Sequence, residues 1–239
     1  MKKVALFALF LVLLMGCARS INVAKSIDEN SFVLVVDETM ISHCVGPGCI
    51  EGKMSTLGSA FVIANAGEDS IAATAGHVCE GALGEHFFAL FKRNMTASTF
   101  DGNEYPVNIL KIYPKYDICI IQIKGVNLPP MRISHDISDP DHGEKVYTIA
   151  APLGIHGEGL ALIMDGYYSG VDKELMGFYV YTIPTQSGSS GSPVLNSKGE
   201  VIGIISMKRK GFENLCISPP APVVKYILLN VIDGIIPEI

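Results

Sequence analysis

Residues 182–206 read TIPTQSGSSGSPVLNSKGEVIGIIS, and at their centre stands Gly188-Ser189-Ser190-Gly191-Ser192-Pro193. Apolar, β-prone segments flank it: Phe178-Tyr179-Val180-Tyr181 before, Val201-Ile202-Gly203-Ile204-Ile205 after. A tight Gly/Ser turn between two strands can hold one hydroxyl out of the wall and aim backbone N–H groups at a single spot. Acyl transfer needs both features, a nucleophile and donors for the oxyanion. Most Gly/Ser turns are only turns, and two upstream segments set this one apart.

The first is Ser70-Ile71-Ala72-Ala73-Thr74-Ala75-Gly76-His77, a small-residue strand that delivers an imidazole at its end. The second is Tyr116-Asp117-Ile118-Cys119-Ile120-Ile121-Gln122-Ile123, a carboxylate at the mouth of an apolar strand. The order His77, Asp117, Ser190, with separations of 40 and 73 residues, is that of the chymotrypsin-type triad, not of the subtilisin or α/β-hydrolase types. On these segments, together with Gly58-Ser59-Ala60-Phe61 and Gly203-Ile204, the chain resembles chymotrypsin-fold (trypsin-like) serine proteases. The HtrA and glutamyl-endopeptidase branches are nearest, and the resemblance spans roughly residues 31–218.

The resemblance implies an all-β fold: two packed six-stranded antiparallel β-barrels with a short C-terminal helix. Ser190 is then the nucleophile, and His77 takes and returns its proton, a task suited to an imidazole with an ordinary pKa near 6.5. Asp117 sets the imidazole tautomer, and the N–H groups of Gly188 and Ser190 form the oxyanion hole. Ser192 replaces the second glycine of the commoner motif, as in glutamyl endopeptidases. His43, His86, His135, His142 and His156 lie in polar or Gly-rich settings and read as surface residues.

For the substrate pocket, trypsins carry an acid six residues before the nucleophile, where this chain has Pro184, so cleavage after Lys or Arg is not expected. Thr185 matches a glutamyl-endopeptidase position, but Ile205 stands where those enzymes have a histidine. Thr185, Ile205 and Met207 as walls imply a small or medium apolar residue before the scissile bond. Ile204 to Met207, through Ser206, is expected to pair with the substrate backbone as an edge strand.

The N-terminus reads as targeting sequence. Lys2 and Lys3 precede an apolar run, Val4 to Met15, of 12 residues, short for a membrane span. Leu14-Met15-Gly16-Cys17 resembles a bacterial lipobox, which implies cleavage before Cys17 and acylation of that cysteine; a plain signal peptide or an uncleaved anchor are the alternatives. The expected divisions are a signal peptide at 1–16, a lipid-anchored tether at 17–30, and a protease domain at 31–239. Within that domain, barrel one spans about 31–125, a linker about 126–140, and barrel two with the helix about 141–239. No residues after that helix are left for the PDZ domain of the full HtrA pattern.

Removing residues 1–16 takes away two lysines and no acid, so the net charge moves from −6 to −8. With only the short run Lys208-Arg209-Lys210, nothing resembles a nucleic-acid surface. No cofactor is expected, and no Cys/His cluster has zinc spacing. The expected partners are a protein or peptide substrate and, through the lipid, a membrane. Export permits disulfides. Glu38 to Leu57 reads as a loop, in which Cys44 and Cys49 bracket the turn Val45-Gly46-Pro47-Gly48 and read as a bridge; Cys119, within a buried-looking strand, reads as a small apolar filler. The rival reading from another class is a catalytically silent peptide-binding pseudoprotease, and a third is an esterase on the same fold.

Overall fold

A computed structural model describes residues 23–45, 48–80, 89–136, 138–208 and 214–235, with the side chains of 41–45, 49–50, 89–91, 207–208 and 235 left out of the description. The signal-peptide and Cys17 expectations therefore lie outside the described residues, as does His86. The described part is β-rich, with one five-residue helix and one longer C-terminal helix.

Six strands close a barrel: β1 (Phe32–Val45), β2 (Gly48–Ala66), β3 (Asp69–Ala75), β4 (Ala89–Thr99), β5 (Glu104–Tyr113) and β6 (Ile118–Ile123). Their order around it is β1-β2-β3-β6-β5-β4. The short helix α1 (Gly76–Glu80) follows β3 directly. A second unit is a seven-stranded antiparallel sheet built from β7 (Lys145–Ala150), β8 (Leu162–Asp172), β9 (Phe178–Tyr181), β10 (Pro193–Leu195), β11 (Val201–Ile204), β12 (Met207–Lys208) and β13 (Cys216–Ser218). Its order is β11-β10-β7-β8-β9-β13-β12, so β12 lies at an edge. Helix α2 (Ala221–Ile235) ends the described chain. This is the expected chymotrypsin-like architecture, with the second unit a half-barrel sheet that hydrogen bonds among the described residues do not close.

Side-chain alternation explains where the two units meet. In β1, Val33 and Val35 point into barrel one, beside Val62, Ala72, Cys119, Ile121 and Ile123. Phe32 and Leu34 point outward, into a core shared with Ile149, Leu195, Val201 and Ile204 of the second unit and Val224, Ile227 and Leu228 of α2. Strand β6 is divided the same way: Cys119, Ile121 and Ile123 face in, Ile118 and Ile120 face the second unit. A strand buried on both faces shows no polar alternation, which is why Ile118–Ile121 reads as a continuous apolar run. Strand β3 is buried likewise, and its alanines fit the crowding there. Covering both faces of β3 and β6 puts the residues at their ends where the two units meet.

Two expectations need correction. The segment 38–57, expected as a loop, is instead the far half of a long β1–β2 hairpin, paired out to Val45↔Gly48. Its β1 arm still pairs with β4 as far as Ser42 and buries polar Thr39, while on the β2 arm Glu51, Met54 and Ser55 are exposed, so no apolar alternation marks the segment. Cys44 and Cys49 face each other in that register, but their side chains lie outside the described residues. Cys119 is not an apolar filler: it forms a disulfide with Cys79, 40 residues away. Among the described residues Cys216 is a free cysteine, and burial pushes its thiol up to about 12.

Between the units, residues 126–136 run as extended chain tied to both. The Met131 N–H donates to Val62 O at 2.8 Å, and the Ser134 N–H to Val201 O at 3.0 Å. No described helix is long and apolar enough to cross a membrane.

Candidate active site

The β3–β6 ladder ends at the pair Ala75↔Ile118. His77 and Asp117 stand just beyond that last rung, His77 in the first turn of α1 and Asp117 at the end of the turn Pro114–Tyr116. Asp117 has left-handed backbone, φ 49° and ψ 49°, a conformation that Asp tolerates better than most residues. The approach is close: a Cβ on Gly76 would lie 2.9 Å from Asp117 Oδ1 and 3.1 Å from its Cα, so a side chain at position 76 would push the carboxylate away.

Three groups hold the Asp117 carboxylate. The His77 backbone N–H donates to Oδ1 at 2.7 Å, His77 Nδ1 meets Oδ2 at 2.8 Å, and the Ser206 hydroxyl donates to Oδ2. Burial, the largest influence on this carboxyl, would raise its pKa. The His77 ring bond and charge, the Ser206 hydroxyl and the His77 N–H outweigh it and hold Asp117 below its ordinary value. An ionised carboxylate only accepts, so Nδ1 carries the ring proton and Nε2 is left with its lone pair in the neutral imidazole. His77 is 44% exposed and Asp117 20%, so the imidazole faces the cleft while its partner is largely covered.

The Ser190 turn is held against the same strands by barrel one. Ser59, fully buried in β2, makes four contacts there. Its N–H donates to Ser190 O at 2.7 Å and its hydroxyl donates to Gly188 O at 2.7 Å. That hydroxyl also accepts from the Ala151 N–H at 3.2 Å, and the Ser59 carbonyl accepts from the Thr74 hydroxyl at 2.7 Å. A Cβ on Gly191 would lie 2.2 Å from Thr74 Oγ1 and 3.0 Å from Ala75 N, which places the turn two to three residues from His77 along β3.

The Ser187–Gly188 and Ser189–Ser190 peptides are pinned by their carbonyls. Ser187 O accepts from the Leu153 N–H at 2.6 Å, and Ser189 O accepts from the Ser192 N–H at 3.1 Å. In a trans peptide the N–H points away from the C=O, so the N–H groups of Gly188 and Ser190 are turned to the opposite side. Neither donates to a described carbonyl. Gly188 has φ +93°, and a Cβ there would lie 2.4 Å from Ala151 O, so only glycine fits. Ser190 is half-buried, and its hydroxyl hydrogen-bonds to no described group, His77 included. Such bonds are often long before substrate arrives.

Of the residues expected to contact substrate, several are placed differently. Ile204 and Ile205 are fully buried in the two cores. The N–H groups of Ile204, Ile205 and Ser206 are already taken, by Ser218 Oγ, Ser192 O and Ile217 O. The free backbone edge is therefore at β12, not at Ile204–Ser206. Ser206 serves Asp117 through its hydroxyl, a role that strand alternation does not reveal. Thr185 is buried and donates to Ile183 O at 3.0 Å. The side chain of Met207 lies outside the described residues. His135 and His142 are exposed, but His156 is half-buried against Phe32 with both ring nitrogens unbonded, so it is not a plain surface residue. Among the described residues no group of three or more His, Cys, Asp or Glu could hold a metal ion.

This arrangement, a His–Asp pair at one barrel's strand ends and a serine turn from a second sheet, defines a trypsin-like peptidase domain. The model of the trypsin-like peptidase domain family matches residues 58–204, and the chain belongs to that family. It is 30% identical over 176 residues to a probable periplasmic serine endoprotease, DegP-like, of Halomonas elongata, covering 70% of this chain and 33% of that protein. To the serine protease Do-like HtrB of Bacillus subtilis it is 27% identical over 173 residues, covering 66% and 35%. The chain thus spans about a third of the length of these curated relatives. The solved serine endoprotease from Yersinia pestis superposes with a TM-score of 0.63 at 18% identity, covering 89% of this chain and 67% of that one. The HtrA-type protease AlgW with decapeptide gives 0.65 at 18% identity, covering 89% and 66%.

Proposed function

We propose that this chain is a serine endopeptidase that cleaves peptide bonds through His77, Asp117 and Ser190. The observation that carries it is the pair of uncommitted N–H groups, Gly188 and Ser190, in a turn pressed onto the strand that delivers His77. Family membership supports the same reading.

In the proposed reaction the Ser190 oxygen attacks the scissile carbonyl carbon as His77 Nε2 takes the hydroxyl proton. The carbonyl π electrons move to oxygen, where the two N–H groups receive the negative charge. The protonated imidazole is stabilised by ionised Asp117, which keeps the Nδ1 proton in place. The tetrahedral adduct collapses, the C–N bond breaks, and the His77 proton passes to the leaving amine. Water, deprotonated by His77, then attacks the acyl–Ser190 ester, and the hydroxyl of Ser190 is restored. A small or medium apolar residue before the scissile bond remains the proposed preference. The free edge of β12 is the proposed pairing partner for the substrate backbone.

Export is part of the proposal. Several relatives are described as periplasmic, and Cys17 as an acylated anchor would tether the domain to a cell-envelope membrane. Palmitate labelling that disappears in Cys17→Ser supports the anchor; unchanged labelling rejects it.

The Ser190 hydroxyl makes no hydrogen bond to His77, which favours one rival, a peptide-binding pseudoprotease. A fluorophosphonate probe separates the two. Covalent labelling of Ser190, absent in Ser190→Ala, supports the enzyme. A folded protein that takes up no probe supports the rival.

A further inference from the structure

The ladder that brings His77 and Asp117 together stops one residue short of Asp117 and two short of His77. Past it, β3 turns into α1, five residues long, far too short to hold its shape or direction without tertiary contacts. Asp117 hangs on a left-handed link. The backbone alone therefore leaves the imbedded pair at two chain ends that can pivot.

The disulfide sits where that pivoting would occur. Cys79 is two residues past His77 and Cys119 two residues past Asp117, and the two sulfurs are joined. The bridge thus ties the helix that carries the imidazole to the strand that follows the carboxylate. It lies in the floor of barrel one, with Cys79 1% and Cys119 0% exposed, packed with Val78, Ala60 and Ile121. The last turn of α1 is held a second time: Arg93, paired with buried Asp37 at 2.8 Å, also donates to the Cys79 carbonyl. With its C-terminal end fixed in this way, α1 keeps the His77 N–H and Nδ1 on the two oxygens of Asp117 together.

We propose that the Cys79–Cys119 disulfide is a positioning device for the His77–Asp117 pair, beyond any stabilisation of the barrel. The inference rests on the proposed peptidase function for its kinetic arm, but its spectroscopic arm does not. A displacement near 1 Å of a catalytic group costs on the order of 100-fold in rate, which sets the expected scale.

The test compares the full chain with Cys79→Ala/Cys119→Ala. Folding is followed by circular dichroism, turnover by a peptide substrate, and the pair itself by the low-field proton NMR signal of the hydrogen-bonded His77 Nδ1–H. The expected result is a folded variant with kcat lowered about 100-fold, KM unchanged, and the Nδ1–H signal broadened or lost. A folded variant with the parent's kcat and signal overturns the proposal and leaves the bridge as a staple alone. Cys79→Val/Cys119→Ala refills the core if the alanine pair does not fold; if neither folds, the bridge serves the whole barrel and the positioning claim falls. A parent chain with no turnover but a sharp Nδ1–H signal would reject the peptidase reading. Loss of that signal in the folded variant would still uphold the brace.

Discussion

The half of the site on barrel one and the half on the second sheet are held by different means. His77 and Asp117 stand at the ends of adjacent strands in a closed barrel, with a ladder before them and a disulfide behind them. Ser190 stands in a turn of an open sheet, and much of what fixes that turn reaches over from the other unit, from Ser59 above all. The His77–Asp117 pair is thus built into one barrel, whereas the Gly188–Ser190 turn is shaped by contact between two units. Hydrogen bonds across such a contact are individually modest, near 1 kcal/mol net, so the nucleophile half is the more adjustable of the two.

The largest expected effect breaks the chemistry on the second sheet. Ser190→Ala should lower kcat by about six orders of magnitude, as loss of the nucleophile does in serine proteases; a peptide assay with residual activity near the parent's would remove Ser190 from its role. Next comes the barrel-one half. Asp117→Asn should cost about four orders in kcat by supporting the wrong imidazole tautomer, and near-full activity would show that another group orients His77.

Two milder substitutions sharpen the contrast. Ser59→Ala removes the hydroxyl that serves Gly188 O and the Ala151 N–H, leaving both buried groups unsatisfied. It should lower stability by about 1–3 kcal/mol and kcat by up to about 100-fold, the lower edge of losing one oxyanion donor, while the His77 Nδ1–H NMR signal stays put. Ser206→Ala should do the reverse: a change in that signal, with a smaller loss of kcat, roughly tenfold, since one of three bonds to Asp117 is gone. If Ser59→Ala moved the Nδ1–H signal as much as Ser206→Ala, the two halves would not be separable.

The smallest effect is on acid stability. The pKa of Asp117 is lowered in the folded chain, so its contribution to stability is present above its unfolded value, about 3.9, and is lost as pH falls through the lower folded value. The stability difference between parent and Asp117→Asn should therefore narrow from pH 5 to about pH 2. Urea midpoints read by tyrosine fluorescence would show it, since the chain has no Trp; a constant gap would mean that the carboxylate gains nothing from its partners.

The candidate residues His77 and Asp117 stood out because each is the polar residue beside a small-residue or strongly apolar strand, and Ser190 because it lies in a Gly/Ser turn between two apolar strands. The long β1–β2 hairpin was not legible, because its β1 arm buries polar Asp37 and Thr39 and its β2 arm is exposed or half-buried over 51–57, so neither carries an apolar period-2 signal. The Cys79–Cys119 bridge was not legible for a different reason. Cys44 and Cys49 are close along the chain, so a local turn suggested a bridge. Cys79 and Cys119 are 40 residues apart, and their closeness depends on β3 lying beside β6, which nothing local to either cysteine announces. Ser206 reads from sequence only as part of the edge expected to pair with substrate, because strand alternation gives a face, not the atom that the hydroxyl meets.

By itself, the order of residues determined the fold class, the strand-rich halves and which side chains could form a charge-relay set. Those are consequences of local pattern, of burial along one strand and of turn chemistry. Tertiary structure alone decided that Ser59 shapes the oxyanion turn, that Ser206 serves Asp117, and that Cys79 joins Cys119. Each of these links residues 40 to 129 positions apart, and contacts of that span exist only once two barrel walls have met.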